Sequence, residues 1–151
     1  MSRALTQPID FDDLERPANP VEVPMLDLDA LGHEYDTALP PHYREFMNRV
    51  GPGTYLSEVC VYPLAEVRKV TDGLRDSNHF TKDASLWDNT ADMLSPDEAK
   101  RVVILGHSLS GDWIGFVGGA PERILVFPRH QRKIVDVGPT FAHALAAFSD
   151  A

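Results

Sequence analysis

Apolar positions are spaced as in helices near the front of the chain and as in strands toward its end. Between residues 41 and 50 the apolar side chains recur at offsets of three, four and seven; they are Tyr43, Phe46, Met47 and Val50. This spacing predicts a helix with one buried face, opened by a proline and ended by the glycine-proline-glycine run at 51–53.

Four further helices are predicted from shorter signals. Residues 26–35 carry apolar positions at helical spacing, with Asp27 as the predicted N-cap. A second helix is predicted over residues 63–75. Ser95-Pro96-Asp97-Glu98 combines a capping serine, a first-turn proline and an acid three residues after the serine, which predicts a single helical turn. A closing helix with an apolar stripe is predicted from Thr140 onward.

Runs rich in β-branched and aromatic residues predict the strands. Residues 55–62 form the first such region, with room for one or two strands. Four short runs follow, joined by tight turns such as Gly106–Gly111; the runs are Val102–Leu105, Asp112–Val117, Arg123–Phe127 and Ile134–Val137. Helices gather at the front and the very end while strands cluster between them. This order predicts an α+β fold, in which helices pack around one twisted, mostly antiparallel sheet.

The chain of 151 residues is predicted to form one domain preceded by an arm. Residues 1–25 are rich in proline and acidic groups and poor in periodic apolar residues, which indicates an extended acidic arm. Residues 26–151 form the predicted domain, which is long enough to bury a core. The first ten residues lack the apolar stretch of a signal peptide, and no segment is long enough to span a bilayer. A cytoplasmic location without a membrane partner is therefore expected.

Charge is the compositional feature that bears most on function. The formal net charge is −9, and residues 1–40 hold nine acidic groups against two arginines. Such a field repels nucleic-acid phosphates and speeds encounter with a basic protein, so a protein partner is expected rather than DNA or RNA. The partner-binding residues predicted from charge density are Asp10, Asp12, Asp13, Glu15, Asp27 and Asp29. A solvated acidic face that serves only solubility is the alternative.

The segment Gly106-His107-Ser108-Leu109-Ser110 nearly matches the Gly-x-Ser-x-Gly elbow that carries the nucleophile of serine hydrolases. Asp136 and His143 follow it in the order that such enzymes use. The fifth position of the segment is a serine, however, and a Trp-Ile-Gly-Phe-Val run typical of a strand comes next, where the elbow requires a helix. A polar turn is therefore predicted, and a small hydrolase using Ser108 is the least favoured hypothesis.

No pattern in the chain indicates a metal or cofactor site. Cys60, the single cysteine, lies between two valines, as expected for a small buried hydrophobe. The histidines show no metal-ligand spacing, and the glycines form no phosphate-binding loop. Trp113 and Phe116, with Tyr43 and Phe46, would suit a ligand-stacking set, but their spacing favours core positions. No catalytic residue, metal or cofactor is therefore predicted.

Three short motifs follow one another along the chain: Leu39-Pro40-Pro41-His42-Tyr43-Arg44-Glu45-Phe46-Met47, Ser110-Gly111-Asp112-Trp113-Ile114 and Pro139-Thr140-Phe141-Ala142-His143-Ala144-Leu145. In order and spacing they resemble the Leu-Pro-x-x-Tyr-x-x-Phe helix, the Gly-Asp-aromatic strand entry and the terminal Ser-Phe-x-x-Phe-Leu helix of the SUKH superfamily. The family-like structural residues are Tyr43, Phe46, Gly111, Asp112, Trp113 and Phe141. The resemblance covers residues 26–149, and the acidic arm has no counterpart in it.

The resemblance implies an α+β fold with no shared catalytic residues. Bacterial members of the superfamily typically bind and neutralise a toxin, often a nuclease, encoded beside them, and a fungal member regulates cell-wall synthesis. The leading hypothesis is therefore a non-enzymatic immunity protein that binds a toxin domain with a basic surface. A regulatory or scaffold adaptor of the same fold is the alternative. Asp112 joins the candidate partner contacts, although a Gly-Asp pair also favours a turn.

Overall fold

The computed structural model describes residues 22–55, 59–77, 79–82, 87–130 and 133–137. Most of the predicted arm and the whole predicted closing helix, including Phe141 and His143, lie outside the described residues. Within them, helices accompany one six-stranded antiparallel sheet. The α+β fold predicted from the order of the elements is therefore confirmed.

The helices and strands alternate in blocks along the chain. The helices are α1 (Met25–Glu34), α2 (Pro41–Arg49), α3 (Leu64–Asp76), α4 (His79–Lys82), α5 (Thr90–Met93) and α6 (Pro96–Ala99). The strands are β1 (Gly53–Tyr55), β2 (Val59–Val61), β3 (Val102–Ser108), β4 (Trp113–Val117), β5 (Ala120–Phe127) and β6 (Val135–Asp136). Spatial order in the sheet equals chain order, so each strand pairs with its neighbours in sequence, and the helices α3 to α6 lie in the connection between β2 and β3.

Helix α2 supplies one wall of the core, as its apolar spacing predicts. Tyr43, Phe46, Met47 and Val50 are all fully buried. The Phe46 ring meets the ring of Tyr55 edge to face, with centroids 5.1 Å apart. This contact joins α2 to the first strand, so burying the helix also fixes the start of the sheet.

Helix α1 begins three residues earlier than an N-cap at Asp27 predicts, and Asp27 is not its cap. Pro24 is the N-cap residue, with extended backbone angles and no side-chain capping bond, and Asp27 lies in the first helical turn. A proline leaves no N–H unsatisfied before a helix, and a carboxylate in the first turn interacts favourably with the helix dipole. Leu28 and Leu31 are buried, as their spacing predicts.

Strand β3 extends to Ser108, so Gly106 lies within a strand and the predicted turn at Gly106–Gly111 is wrong in its first half. A side-chain carbon on Gly106 would fall on the carbonyl oxygen of Cys60 in the neighbouring strand. The pairing of β3 with β4 also shifts register between Ile104 and Gly106. Gly106 therefore permits a bulge and a close strand approach rather than a turn.

Helix α3 covers the part of β3 that β2 does not reach. Strand β2 pairs with β3 only from Gly106 onward. Before that point, the Ile104 backbone N–H donates to Thr71 Oγ1 at 3.0 Å, and Arg75 Nε donates to the Val102 carbonyl at 3.2 Å. Two helical side chains thus satisfy strand groups that would otherwise be unpaired inside the protein.

The capping signal at Ser95 is confirmed in detail. Ser95 Oγ accepts from the Glu98 backbone N–H at 3.1 Å, and Glu98 Oε1 accepts from the Ser95 backbone N–H at 2.9 Å. Glu98 Oε2 also pairs with Arg123 of β5 at 2.9 Å. The hydrogen bond from Ser95 and the charge of Arg123 both lower the pKa of Glu98, with the hydrogen bond the larger cause.

The variant Glu98→Gln is expected to lose stability at neutral pH and to lose less in acid. A lowered pKa in the folded state stabilises the fold above the usual glutamate value of 4.5, and this contribution disappears as the pH falls through the folded-state value. Urea unfolding of both proteins from about pH 7 to about pH 3 measures the difference. A stability difference between the two proteins that does not change with pH would contradict the role assigned to the Glu98 carboxylate. Glu45→Gln, at an exposed ion pair with Arg49, is the control and should change stability by less than about 0.5 kcal/mol.

Candidate functional site

The predicted acidic partner contacts are only partly within the described residues. Asp10, Asp12, Asp13 and Glu15 lie outside them. Asp27 and Asp29 are both exposed on helix α1. Asp112 lies elsewhere, between β3 and β4. The structure therefore places Asp27 and Asp29 on the same helix and Asp112 in a separate turn.

Helix α1 and its flanks form an exposed acidic region. It contains five exposed carboxylates and neither lysine nor arginine; the carboxylates belong to Glu22, Asp27, Asp29, Glu34 and Asp36. Two of them pair with arginines of neighbouring helices: Asp29 with Arg44 of α2 at 2.7 Å, and Glu34 with Arg68 of α3 at 2.6 Å. The other three make no ion pair with any described residue.

The same helix carries the most exposed large apolar side chain found in the described part of the chain. Leu26 is 80% exposed and its neighbour Met25 is 43% exposed. Beside them lies a concave region of about 720 Å³, lined by Glu22, Val23, Pro24, Asp27, Ala30, Pro52, Pro63, Leu64 and Arg68. We call Glu22, Met25, Leu26, Asp27 and this concave region the α1 surface.

Asp112 is held within the turn that joins β3 to β4. Its Oδ2 accepts from Ser108 Oγ at 2.9 Å, and its Oδ1 accepts from the Arg129 backbone N–H at 2.9 Å. The Ser108 backbone N–H donates to the Asp112 carbonyl at 2.8 Å. The carboxylate thus ties the turn to the segment after β5, which agrees with the turn role considered for the Gly-Asp pair.

Ser108 does not lie on a strand-to-helix elbow. It is fully buried at the end of β3, and a tight turn leads from it directly into strand β4. Its Oγ donates to the Asp112 carboxylate and accepts from the Asp112 backbone N–H at 3.1 Å. A nucleophilic serine needs an accessible oxygen beside a base, so this geometry favours a structural role for the hydroxyl.

A serine-directed covalent probe is expected to leave the folded protein unlabelled, because Ser108 Oγ is buried and bound at both ends. The variant Ser108→Ala should lose about 1–3 kcal/mol of stability, since it removes two hydrogen bonds to the half-buried Asp112, one of them to its charged carboxylate. Intact-mass spectrometry after probe treatment and urea unfolding measure the two effects. Labelling that disappears in Ser108→Ala would contradict the structural role.

The aromatic residues considered as a ligand-stacking set divide between two places. Tyr43, Phe46 and Phe116 are fully buried core residues, as their spacing predicts. Trp113 is only partly buried and packs against the edge of the core. The four residues considered as a ligand-stacking set therefore do not form a single site. Trp113 belongs to a cluster of other aromatic residues.

Trp113 stands in an aromatic cluster built from three parts of the chain. Its ring lies 5.1 Å from the His79 ring and 6.1 Å from the Phe80 ring, centroid to centroid. Phe80 lies 4.8 Å from Phe127, which lies 5.6 Å from Trp87. Sequence reasoning missed this cluster because the region that contributes His79, Phe80 and Trp87 shows weak periodicity. The aromatic residues of that region were the signal from which the cluster could have been predicted.

Strand register explains why part of this cluster faces a cavity. His107, Trp113 and Phe127 are direct cross-strand partners, so their side chains stand in one row on one face of the sheet. A cavity of about 360 Å³ opens over this row and is lined by His79, Trp87, His107, Gly111, Trp113, Phe127, Pro128 and Arg129. We call it the aromatic cavity.

No family model, no curated protein and no solved structure matches the chain.

Two further properties of the described residues bear on the kind of site present. No group of three or more histidine, cysteine, aspartate or glutamate side chains is arranged there to hold a metal ion. Among the helices of the same part of the chain, none is both long and apolar enough to cross a bilayer.

Cys60 is less buried than its setting between two valines predicts. It is partly exposed on strand β2 and packs against the core at its edge. Burial is the main cause that raises the pKa of its thiol, although a hydrogen bond with Thr54 acts in the opposite direction. The thiol is therefore protonated at neutral pH and is a poor nucleophile.

Proposed function

We propose that this protein is a non-enzymatic binding module, and that it acts as an immunity protein by binding and occluding a cognate toxin domain with a basic surface. The observation that carries the proposal is the α1 surface. It combines carboxylates that have no cationic partner in the described structure with an exposed apolar side chain and a concave region.

Electrostatics favours a basic protein as the occupant. Glu22 and Asp27 both line the concave region, and Arg68, the one arginine among its described lining residues, is already paired with Glu34. Nuclease toxins need cationic surfaces to hold a phosphate backbone. An acidic inhibitor competes for such a surface and speeds encounter with it, whereas nucleic acid is repelled.

The apolar part of the α1 surface supplies contacts that electrostatic steering alone does not. Leu26, which precedes Asp27 in the chain, projects into solvent. The concave region is lined by four more apolar residues: Val23, Pro24, Pro63 and Leu64. Protein interfaces place an apolar centre inside a polar rim, and the centre provides most of the binding energy. The arrangement supports protein binding more than a solubility role, for which Leu26 would be unfavourable.

The resemblance to the SUKH superfamily supports the choice of a toxin as the partner. The motif residues Tyr43 and Phe46 are core residues, while Gly111 and Asp112 form a turn that leads into Trp113. The motif therefore specifies a scaffold, and the exposed surface is free to vary with the partner. Residence in the cytoplasm, where a producing cell must be protected, is part of this proposal.

The proposal is tested with the protein encoded beside this one. Co-expression of that neighbour with this chain, followed by purification through a tag on the neighbour, should recover both proteins in a stoichiometric complex. The neighbour alone should be toxic, and co-expression should abolish the toxicity. A neighbour that is harmless and does not bind would contradict the immunity function and favour the regulatory adaptor, whose partner lies elsewhere in the genome.

A further inference from the structure

The aromatic cavity has the construction of a small-molecule site, and neither the α1 surface nor the proposed partner uses it. Its volume of about 360 Å³ falls in the range of ligand pockets, which are mostly apolar with a few polar groups. Trp113 remains partly exposed at this cavity although it is surrounded by aromatic rings. Part of the Trp113 indole is therefore accessible to a ligand.

The rings that line the cavity are held in place by hydrogen bonds. Trp87 Nε1 donates to the Pro128 carbonyl at 2.8 Å, which fixes that indole. His107 Nδ1 and the Tyr62 hydroxyl lie 2.7 Å apart and share a hydrogen bond. Burial raises the pKa of Tyr62 to about 12, so its hydroxyl stays protonated and available for this bond. The site is thus largely formed before a ligand arrives, which lowers the entropic cost of binding.

The one permanent charge among the described residues that line the cavity is positive. It belongs to Arg129, and none of these described residues is an aspartate or a glutamate. The Arg129 side chain lies against Gly111, where a side-chain carbon would come within 2.7 Å of its Cδ. Its guanidinium makes no ion pair with a described residue. The nearby Asp112 carboxylate accepts instead from Ser108 Oγ and from the Arg129 backbone N–H.

We propose that the aromatic cavity binds a small aromatic carboxylate, with its ring against the exposed part of Trp113 and its carboxylate on the Arg129 guanidinium. The flat rings select a planar apolar body by stacking and edge contacts. The guanidinium selects a carboxylate because its planar donors match the two oxygens.

An organic cation is the other ligand that aromatic rings attract. Such sites need a wall free of positive charge and are helped by a carboxylate, whereas the described lining of this cavity contains Arg129 and no acidic residue. A neutral aromatic would gain the ring contacts but would leave the guanidinium without a partner. Charge complementarity therefore selects the anion.

The test uses three probes with one ring and different head groups: benzoate, benzamide and benzylamine. The chain contains only two tryptophans, and both line the cavity, so their indole N–H signals in a nitrogen-15 correlation spectrum report on this site. Benzoate, titrated to about 20 mM, should shift both indole signals and saturate. Benzamide should bind about tenfold more weakly, and benzylamine should cause no saturable shift.

Two variants separate the role of Arg129 from a general effect of charge. Arg129→Gln, at an exposed side chain, should keep the folded spectrum and weaken benzoate binding about tenfold or more. Lys100→Gln, at an exposed lysine that does not line the cavity, should bind benzoate as the wild type does. Equal binding of the three probes, no saturable shift with benzoate, or an unchanged affinity in Arg129→Gln would each overturn the proposal. None of these results would affect the function proposed for the α1 surface.

Discussion

Replacing Gly115 by alanine is expected to destabilise the protein by about 3 kcal/mol, at the upper end of what overpacking costs. Gly115 lies in the middle of β4, between Ile104 of β3 and Leu125 of β5. A side-chain carbon there would fall on the Val103 carbonyl oxygen and lie 3.1 Å from Ile104 Cδ1. The carbonyl is part of a strand backbone and cannot rotate away, so the two central strands would have to separate. Urea unfolding monitored by circular dichroism measures the loss.

The matched control is Gly73→Ala, in which the same methyl group is added to helix α3. Apart from its chain neighbours and the backbone of α3 itself, no described residue has an atom within 4 Å of the position that the new carbon would occupy. Alanine is the better helix former, so this variant should gain about 0.5–1 kcal/mol. The expected result is that Gly115→Ala lowers the stability and Gly73→Ala raises it. A Gly115→Ala protein as stable as the wild type would show that β3 and β4 do not approach as closely as described.

Truncating Phe46 to alanine is expected to cost about 3–5 kcal/mol, which approaches the total stability of many domains of this size. The ring is fully buried, and its edge-to-face contact with Tyr55 joins helix α2 to the sheet. Its removal leaves a cavity at the point where the two layers meet. The expected result is a large fall in the urea midpoint.

Leu26→Ala is the control for Phe46→Ala, because it also truncates a large apolar side chain. Leu26 is 80% exposed, so the expected change is within about 0.5 kcal/mol. The control has a second use: it removes the apolar contact of the α1 surface without affecting the fold. A loss below about 1 kcal/mol for Phe46→Ala would mean that α2 does not pack on the sheet as described.

The elements that the sequence predicted well are those in which a local pattern decides the structure. The buried face of α2 follows from the spacing of its apolar residues, and the turn of α6 follows from Ser95 and Glu98, whose reciprocal hydrogen bonds involve only neighbours in the chain. Chain order also predicted an antiparallel sheet, because short strands joined by tight turns pair with their neighbours.

The features that sequence reasoning missed depend on contacts between distant parts of the chain. Gly106 was assigned to a turn because a glycine signals one locally, but its role is set by the carbonyl of Cys60 on another strand. Likewise, Thr71 was not predicted as a partner of the β3 backbone, since that role arises only where β2 ends short of β3.

The candidate site was also predicted only in part. The acidic character of residues 22–36 follows directly from composition. The pairing of Asp29 with Arg44 depends on how α1 and α2 pack, so the sequence could not predict it. This pairing leaves Asp27 as the stronger candidate for a partner contact. The aromatic cavity could not be predicted because Trp87 and Trp113 come to line the same cavity only when the long β2–β3 connection folds back on the sheet. Asp112, a candidate for a partner contact, is engaged within the protein itself.

The association rate between this protein and the product of the neighbouring gene shows whether the α1 surface guides a basic partner. It should be measured by stopped flow at about 20 mM and about 150 mM salt. The proteins compared are the wild type, the double variant Glu22→Lys/Asp27→Lys and the control Glu122→Lys. The control reverses a charge at an exposed position on β5. If the α1 surface guides a basic partner, the wild-type rate falls about tenfold with salt, the double variant is slow at both salt concentrations, and the control resembles the wild type. A rate that is indifferent to salt and to the reversal of Glu22 and Asp27 would contradict the account.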